Sequence, residues 1–322
     1  MNSPINQTDT IILECENISE TEDSVRNYIN TGRYQSELLK NSSNWNQICS
    51  SLDTIGDTLL SIIDFAKSNY PTTSGLKYIY TYGILQALFI QQDAIKHLST
   101  AFSVTLTPSD RLKEIRLIRN AAIGHPTEHN VKGIKYYNYI SRMTLKKWGF
   151  TLQRSSESGN NFFIDVQLNL LILEQLQEIK ISYKEISLKL NEADKMHKEK
   201  FQNNLLSDVF GSGFDYLFQK VSQGIHTPDD NRSFGLSMLN SIRETYKEFE
   251  DGLTARNELN NYTKFDLEEY KHAIEKLHEY LSGTGGQMSE TDARIYCFYI
   301  KEQHNQFVNI AKEIDSEYGK TK

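Results

Sequence analysis

The residues of this chain best suited to chemistry lie between Arg119 and Pro126, in the stretch Arg-Asn-Ala-Ala-Ile-Gly-His-Pro. An arginine guanidinium matches two oxygens of a phosphate, and a histidine imidazole exchanges a proton near neutral pH. RNA carries its own nucleophile, the 2′-hydroxyl, so its cleavage needs a proton acceptor, a positive charge at the phosphate and a proton donor, but no metal ion. Arg119 and His125 therefore predict chemistry on a phosphodiester.

The residues around this stretch predict a helix that carries the arginine close to its end. Thr107 and Pro108 are typical of an N-cap and a first helical residue, so we expect the helix to begin near Pro108. Gly124 is the residue type favoured just after a helix, and Pro126 disfavours the helical conformation for His125. We expect the chain to leave the helix here, which allows the imidazole to turn back towards the arginine.

Arg119 lies within the apolar stripe of this helix, and a charge among apolar neighbours is costly unless it meets an anion or a carboxylate. Asp93, on the preceding helix, is a candidate partner of Arg119, the alternative being a solvent-facing acid. His129 is a candidate to assist His125, the alternative being a surface histidine in a polar loop. At about 100° per residue the stripe contains Leu112, Ile115, Ile118, Ala122 and Ile123.

The segment resembles the Arg-x(4–6)-His signature of the HEPN superfamily (higher eukaryotes and prokaryotes nucleotide-binding), with five intervening residues and the polar Asn120 after the arginine. Two long helices precede it, and the resemblance covers roughly residues 45–130. It implies a composite site at a homodimer interface. In that site His125 is the general base or acid, Arg119 holds the scissile phosphate, and Asn120 orients His125 or a phosphate oxygen.

Other chemistries find little support in the sequence, and we expect neither a metal site nor a cofactor. Cys15, Cys49 and Cys297 are far apart, which is typical of reduced thiols and offers no metal knuckle. His125 and His129 have ligand spacing, but the proline between them disfavours a helical pair. Glycine-rich phosphate loops and nucleophile elbows are absent from the sequence.

The net charge of −7 argues against a nonspecific binder of polyanions, so any contact with nucleic acid must be local. No apolar run is long enough for a membrane span, and the first twenty residues lack a signal-peptide pattern. These features predict a cytoplasmic protein with no membrane partner. The local basic candidates, for most of which we expect a solvated face, are Arg111, Lys113, Arg116, Arg119, Lys132, Lys135, Arg142, Lys146 and Lys147.

Five prolines and 17 glycines among 322 residues, with 38% hydrophobic residues, predict a mainly α-helical fold. We expect a polar N-terminal arm and a helix over 1–44. A HEPN-like antiparallel helical bundle should follow over 45–200, with an inserted β-hairpin at about 146–167, where apolar residues alternate on both sides of a turn. A second helical unit should occupy 201–322.

Three functions are compatible with these patterns. The first is a metal-independent endoribonuclease of HEPN type, acting on RNA as a homodimer and serving as a defence or toxin effector; this role would imply an antitoxin or sensor partner. The second is a catalytically silent, HEPN-like dimer that binds or assembles other components. The third is an unrelated helical protein in which Arg119 forms a buried ion pair.

Overall fold

The fold is described from a computed structural model that covers residues 6–131, 133–284 and 288–318, without the side chains of residues 131 and 228–230. It is mainly helical, as the sequence predicted, and it includes a small antiparallel sheet. None of the helices in these ranges is long and apolar enough to cross a membrane. In chain order the elements are α1 (Gln7–Asn30), α2 (Gly32–Leu39), α3 (Ser42–Lys67), α4 (Ser74–Ala101), α5 (Asp110–Arg119), a π-helical turn (Asn120–Gly124), β1 (His129–Val131), β2 (Ile134–Ile140), β3 (Gly149–Ser156), β4 (Asn161–Gln167), α6 (Leu168–Phe201), α7 (Phe214–His226), α8 (Pro228–Ala255), α9 (Asn261–Ser282) and α10 (Glu290–Tyr318).

The chain divides into two compact units. The first unit contains the described residues up to Tyr28 together with Asn41–Asn191. The second contains Ile29–Lys40 and the described residues from Glu192 onward. Helix α2 therefore belongs to the second unit, although it precedes most of the first unit in the sequence.

The core of the first unit is built on helices α3 and α4, each with a fully buried apolar side. Helix α1 adds a third apolar side, so the expected polar arm over the first twenty residues is wrong from Gln7 onward. The polar composition hid a narrow stripe at helical spacing, which is enough to bury one side of a helix. The side chains of α1 in this stripe within the first unit are Ile11, Cys15, Ile18 and Val25.

The helix that leads to the motif begins two residues later than the sequence suggested. The N-cap is Ser109, whose hydroxyl oxygen accepts a hydrogen bond from the Leu112 backbone N–H at 3.2 Å. Thr107 and Pro108 lie before the cap. Both threonine and serine are good N-caps, and the hydroxyl that meets a free backbone N–H decides between them.

Along the described part of the chain, a four-stranded antiparallel sheet lies between the motif and α6. Its strands are in the order β1-β2-β3-β4. Strands β3 and β4 form the hairpin that the sequence predicted. Strands β1 and β2 were not predicted. Asn138 is the one buried residue of β2, so this strand lacks the apolar alternation that marks a half-buried strand.

The second unit is a helical assembly with an aromatic core. Helices α7, α8, α9 and α10 contribute to it, together with a short 3-10 helix over Leu206–Val209. The Asp315 carboxylate accepts hydrogen bonds from the backbone N–H groups of Leu206 and Ser207, both at 2.8 Å, and thereby satisfies the free end of that short helix.

Candidate functional site

The motif residues meet because helix α5 changes its winding as it ends. After Arg119 the chain continues through the π-helical turn Asn120–Gly124, and the His125 N–H donates a hydrogen bond to the Asn120 carbonyl at 2.7 Å. His125 itself adopts φ −137° and ψ 57°, outside the helical region, as expected for the residue before a proline. Such π-turns are frequent at functional sites.

The Arg119 guanidinium is held by neutral groups. Its Nε and Nη2 donate to the Gln86 Oε1 at 3.2 and 2.8 Å, and its Nη1 donates to the Asn120 Oδ1 at 3.0 Å. The Phe89 ring lies 4.1 Å from its Cζ, a cation–π distance. No carboxylate among the described residues pairs with Arg119. The charge is therefore positioned but not neutralised, and the buried ion pair of the third hypothesis is not found.

Asp93, which we considered as a partner for Arg119, instead pairs with Arg116, one helical turn earlier on α5. The Arg116 Nε also donates to the Gln92 Oε1 at 3.1 Å. Along α4 and α5 the contacts are therefore Gln92 and Asp93 with Arg116, and Gln86 with Arg119. Asp93 lies too far along α4 to serve the motif arginine, and it is not an unpartnered surface acid either.

A buried chain of glutamine side chains fixes α5 through α4 and α6. The Gln92 Nε2 donates to the Gln175 Oε1 at 2.8 Å, and the Gln175 Nε2 donates to the Gln91 Oε1 at 2.8 Å and the Leu88 carbonyl at 2.9 Å. Hydrogen bonds between buried side chains restrict their geometry, although the Gln91 Nε2 is buried without a partner here. The network thus holds Arg116, and with it the motif helix, in a single position.

Gly124 matters for a reason other than the one we expected. It does not adopt the left-handed conformation of a helix-terminating glycine. A Cβ built on it would lie 2.9 Å from the Arg119 Nη1 and 3.3 Å from the Asn120 Oδ1. The absence of a side chain therefore allows the guanidinium and the amide to lie directly against the turn.

Two imidazoles stand side by side in the motif. The exposed ring of His125 stacks on the ring of His129, with centroids 6.0 Å apart and planes at 27°. His129 lies in strand β1, not in the polar loop we expected, and its Nδ1 is buried without a hydrogen-bond partner. The Asn138 N–H donates to the Pro126 carbonyl at 2.8 Å and fastens the sheet to the motif.

Several of the basic candidates for which we expected a solvated face form ion pairs or structural hydrogen bonds away from the motif. Arg111 and Lys113 form ion pairs within α5, and Lys135 pairs with Glu128. Lys147 donates to the carbonyls of residues 66 and 68 and is a structural residue. Lys132 lies outside the described residues.

An open apolar depression of about 420 Å³ adjoins the motif. It lies between α4 and the π-helical turn, and the exposed Ile79 side chain stands one turn before it on α4. The depression shares Gln86 with the contacts of Arg119. Its lining residues are Tyr82, Gly83, Gln86, Ala122, Ile123 and Pro126.

The arrangement has the parts of a proton-transfer and phosphate-binding site, namely two adjacent imidazoles and a positioned guanidinium. The sequence pointed to Arg119, Asn120 and His125, and in the structure Asn120 accepts hydrogen bonds from the Arg119 guanidinium and the His125 backbone N–H. The sequence analysis did not identify Gln86 or Gln175, because no local pattern marks which distant residue a glutamine in an apolar helix will contact. Within the described ranges, no three His, Cys, Asp or Glu side chains are grouped to hold a metal ion.

Comparisons with protein-family models, with curated proteins and with solved structures found no match to this chain.

Proposed function

We propose that this protein is a metal-independent endoribonuclease of HEPN type. The observation that carries the proposal is the Arg119 guanidinium, which neutral groups hold at the start of the π-helical turn that ends before the exposed His125. A guanidinium without a carboxylate partner is available to a phosphate, and it matches two of its oxygens. The sequence resemblance to the HEPN signature agrees with this chemistry.

The reaction follows from the groups present. A neutral His125 imidazole removes the proton of the 2′-hydroxyl, whose oxygen attacks the adjacent phosphorus. The bond from phosphorus to the 5′-oxygen breaks, and a protonated imidazole gives its proton to that oxygen. The products are a 2′,3′-cyclic phosphate and a 5′-hydroxyl. Arg119 stabilises the negative charge that grows on the phosphate oxygens, and Asn120 holds the guanidinium in place.

The second imidazole comes from a second copy of the chain in this proposal. A two-fold dimer brings two equivalent His125 side chains to one site. The apolar depression beside the motif, with Tyr82 and the exposed Ile79, supports a contact between copies at this place. His129 is the alternative source of the second imidazole, because its ring lies 6.0 Å from that of His125 in the same chain.

A role as a defence or toxin effector, with an antitoxin or sensor protein as partner, rests on the family resemblance. The chemistry agrees with such a role, since a metal-independent ribonuclease needs only its substrate to act. Control by a partner protein is then the direct way to keep it inactive.

The test is cleavage of a defined single-stranded RNA by the purified protein in EDTA, with product ends identified by mass. We expect the wild type to leave 2′,3′-cyclic phosphates and His125→Ala to lose about 100-fold or more in rate. The matched control is His97→Ala, because His97 is an exposed histidine of the same unit, roughly 16 Å from Gln86 along α4.

Two further variants separate the sources of the second imidazole. Tyr82→Glu should disrupt the dimer in sedimentation and abolish cleavage if the site is composite, whereas His129→Ala should abolish it if one chain supplies both groups. Wild-type protein that dimerises but leaves RNA intact would overturn the nuclease and favour the silent binding module. Equal loss in His97→Ala would also contradict the assignment of His125.

A further inference from the structure

The two faces of the sheet differ in chemistry. Side chains of directly paired residues in an antiparallel sheet lie on the same face. The pairs His129 with Tyr136, Asn138 with Arg154, and Arg154 with Phe162 therefore define one face. We name these five residues the motif face, because His129 stacks on His125. The inner part of the same face is apolar and enters the core.

The opposite face also carries aromatic and charged side chains, but its lysine is paired with a carboxylate and it includes an aspartate. Lys135 pairs there with Glu128, and Asp165 accepts a hydrogen bond from the Thr151 hydroxyl at 2.8 Å. At the paired strand positions of the motif face there is no acidic residue. The face nearer to the catalytic motif is therefore the one without negative charge.

Ring contacts and strand pairings connect His125 to the motif face. The ring of His129 lies 6.0 Å from that of His125, and Tyr136 is the strand partner of His129. The Arg154 Cζ lies 5.5 Å from the centre of the Tyr136 ring. Phe162, the strand partner of Arg154, leaves 51% of its surface exposed. A strand of nucleic acid lying across this face would reach His125.

Arg154 resembles Arg119 in its surroundings. Its Nε donates to the Asn138 Oδ1 at 2.9 Å, and no carboxylate among the described residues pairs with it. Asn138 is 5% exposed, and its Nδ2 is buried without a hydrogen-bond partner. A buried amide donor without an acceptor is costly, and an acceptor on a bound molecule would satisfy it.

We propose that the motif face binds unpaired nucleotides of the RNA, next to the bond that is cleaved. Bases stack on Tyr136 and Phe162, and Arg154 holds a phosphate between them. Tyr136 is half-buried and Phe162 is exposed. Accessible aromatic side chains on a sheet accept the faces of unpaired bases, whereas paired bases in a duplex keep their faces covered. The proposal rests on the proposed function and specifies its substrate as single-stranded RNA.

Binding is best measured on the full-length His125→Ala protein, so that the probe stays intact. The probe is a fluorescein-labelled RNA of twelve uridines, and the readout is its anisotropy at several salt concentrations. We expect Phe162→Ala and Tyr136→Ala each to weaken binding at least about fivefold, as for the loss of a stacked base. Arg154→Gln should also lower the slope of log affinity against log salt by about 0.7, as for one phosphate contact.

The matched controls lie on the opposite face. Phe163→Ala and Tyr139→Ala remove aromatic side chains that are exposed at 71% and 57%, and both should leave the affinity unchanged. Equal losses on the two faces, or an effect of the controls alone, would overturn the proposal, as would the absence of any binding. A twelve-base-pair RNA duplex that competes as well as the single strand would also contradict it.

The two proposals fail separately. Cleavage that depends on His125 but not on Phe162 or Arg154 would leave the nuclease standing and overturn the motif-face subsite. If binding depends on the motif face but the protein never cleaves RNA, the nuclease would be overturned and the RNA-binding subsite would stand. Because Phe162 is exposed, its loss should not impair folding, and circular dichroism verifies this for each variant.

Discussion

Arg119 in the first unit and Arg33 in the second are both guanidinium groups held by side chains of neighbouring elements, but their partners differ in charge. Arg119 contacts a glutamine, an asparagine and an aromatic ring. Arg33 is 4% exposed and lies among three carboxylates, those of Asp194 at 3.1 Å, Glu258 at 3.0 Å and Glu317 at 2.6 Å. The positive charge of Arg33 is compensated, whereas no carboxylate in the described part of the chain pairs with Arg119.

The surroundings of Arg33 explain its role in the fold. Burial alone would lower the pKa of its guanidinium, but hydrogen bonds with Glu317, Tyr34 and Glu258 outweigh burial and raise the pKa. The bonds with Glu258 and Glu317 fix α2 to the region after α8 and to α10, and the bond with Asp194 fixes it to α6 within the second unit. A buried arginine whose hydrogen bonds end on carboxylates is thus a structural residue, and one whose bonds end on amides is a candidate for binding.

Histidines show the same contrast. His304 in the second unit stacks on Phe214 at 4.3 Å and shares a hydrogen bond of 2.8 Å with the Tyr246 hydroxyl. Burial lowers the pKa of His304 to about 4, with the negative charge of Asp215 opposing the shift. His125, by comparison, is exposed at the end of the π-helical turn. A histidine packed among aromatic rings is kept neutral by burial, whereas an exposed histidine is accessible to a bound molecule.

The largest expected effect is on stability, in Arg33→Met. Removing the cation leaves Asp194 and Glu258 partly buried without it, so we expect a loss of about 3 kcal/mol in the free energy of unfolding. This is the low end for buried pairs, because Glu317 is 52% exposed and can be solvated. Urea unfolding measures the loss. A loss as large in Arg119→Met would remove the contrast between the two arginines.

Arg119→Ala should change activity and leave stability nearly unaltered. In the proposed mechanism it removes the charge that faces the phosphate in the transition state, so cleavage should fall about 100-fold. Its hydrogen bonds are to neutral groups, so the free energy of unfolding should change by about 1 kcal/mol or less. Single-turnover cleavage and urea unfolding of the same preparation measure both. Arg33→Met, assayed well below its unfolding midpoint, should cleave at the wild-type rate, and a slower rate would contradict the division of roles.

His304 should make the second unit sensitive to acid. Its folded pKa of about 4 lies below its ordinary value of 6.5, so the unfolded chain binds the proton more readily. Stability is therefore retained above pH 6.5 and lost as the pH falls from 6.5 towards 4, by about 2 kcal/mol from this residue. Unfolding free energies at pH 7 and 4.5 measure it, and His304→Asn should reduce the difference by that amount. An unchanged difference would mean that His304 is not kept neutral.

Gly124→Ala should produce the smallest effect and the most local one. The added Cβ displaces the end of the flexible Arg119 side chain, so we expect cleavage to fall about tenfold while the fold is retained. Gly75→Ala is the control, because a Cβ there meets no atom within 4 Å. Wild-type cleavage by Gly124→Ala would show that the guanidinium does not need its place against the turn.

Much of the local structure could be predicted, because it depends on neighbouring residues. The long helices α3 and α4 follow from apolar residues at helical spacing, and the β3–β4 hairpin follows from alternation around a turn. Arg119 and His125 could be considered as a pair, because the nearby glycine and proline predict that the chain leaves the helix between them. Strand β2 was not predicted, since its one buried residue is polar.

The amino-acid sequence by itself determined the mainly helical fold and the motif helix, and it indicated Arg119 and His125 as candidates for chemistry. Periodicity, capping and chain direction act over a few residues, so they can be read from the sequence. The tertiary structure decided which charges remain available. Asp93 meets Arg116 and not Arg119, His129 reaches His125 through strand β1, and Arg33 acquires carboxylates from residues up to 284 positions away. Such pairings depend on how helices and strands pack, and the energies that select them are shared among many distant side chains.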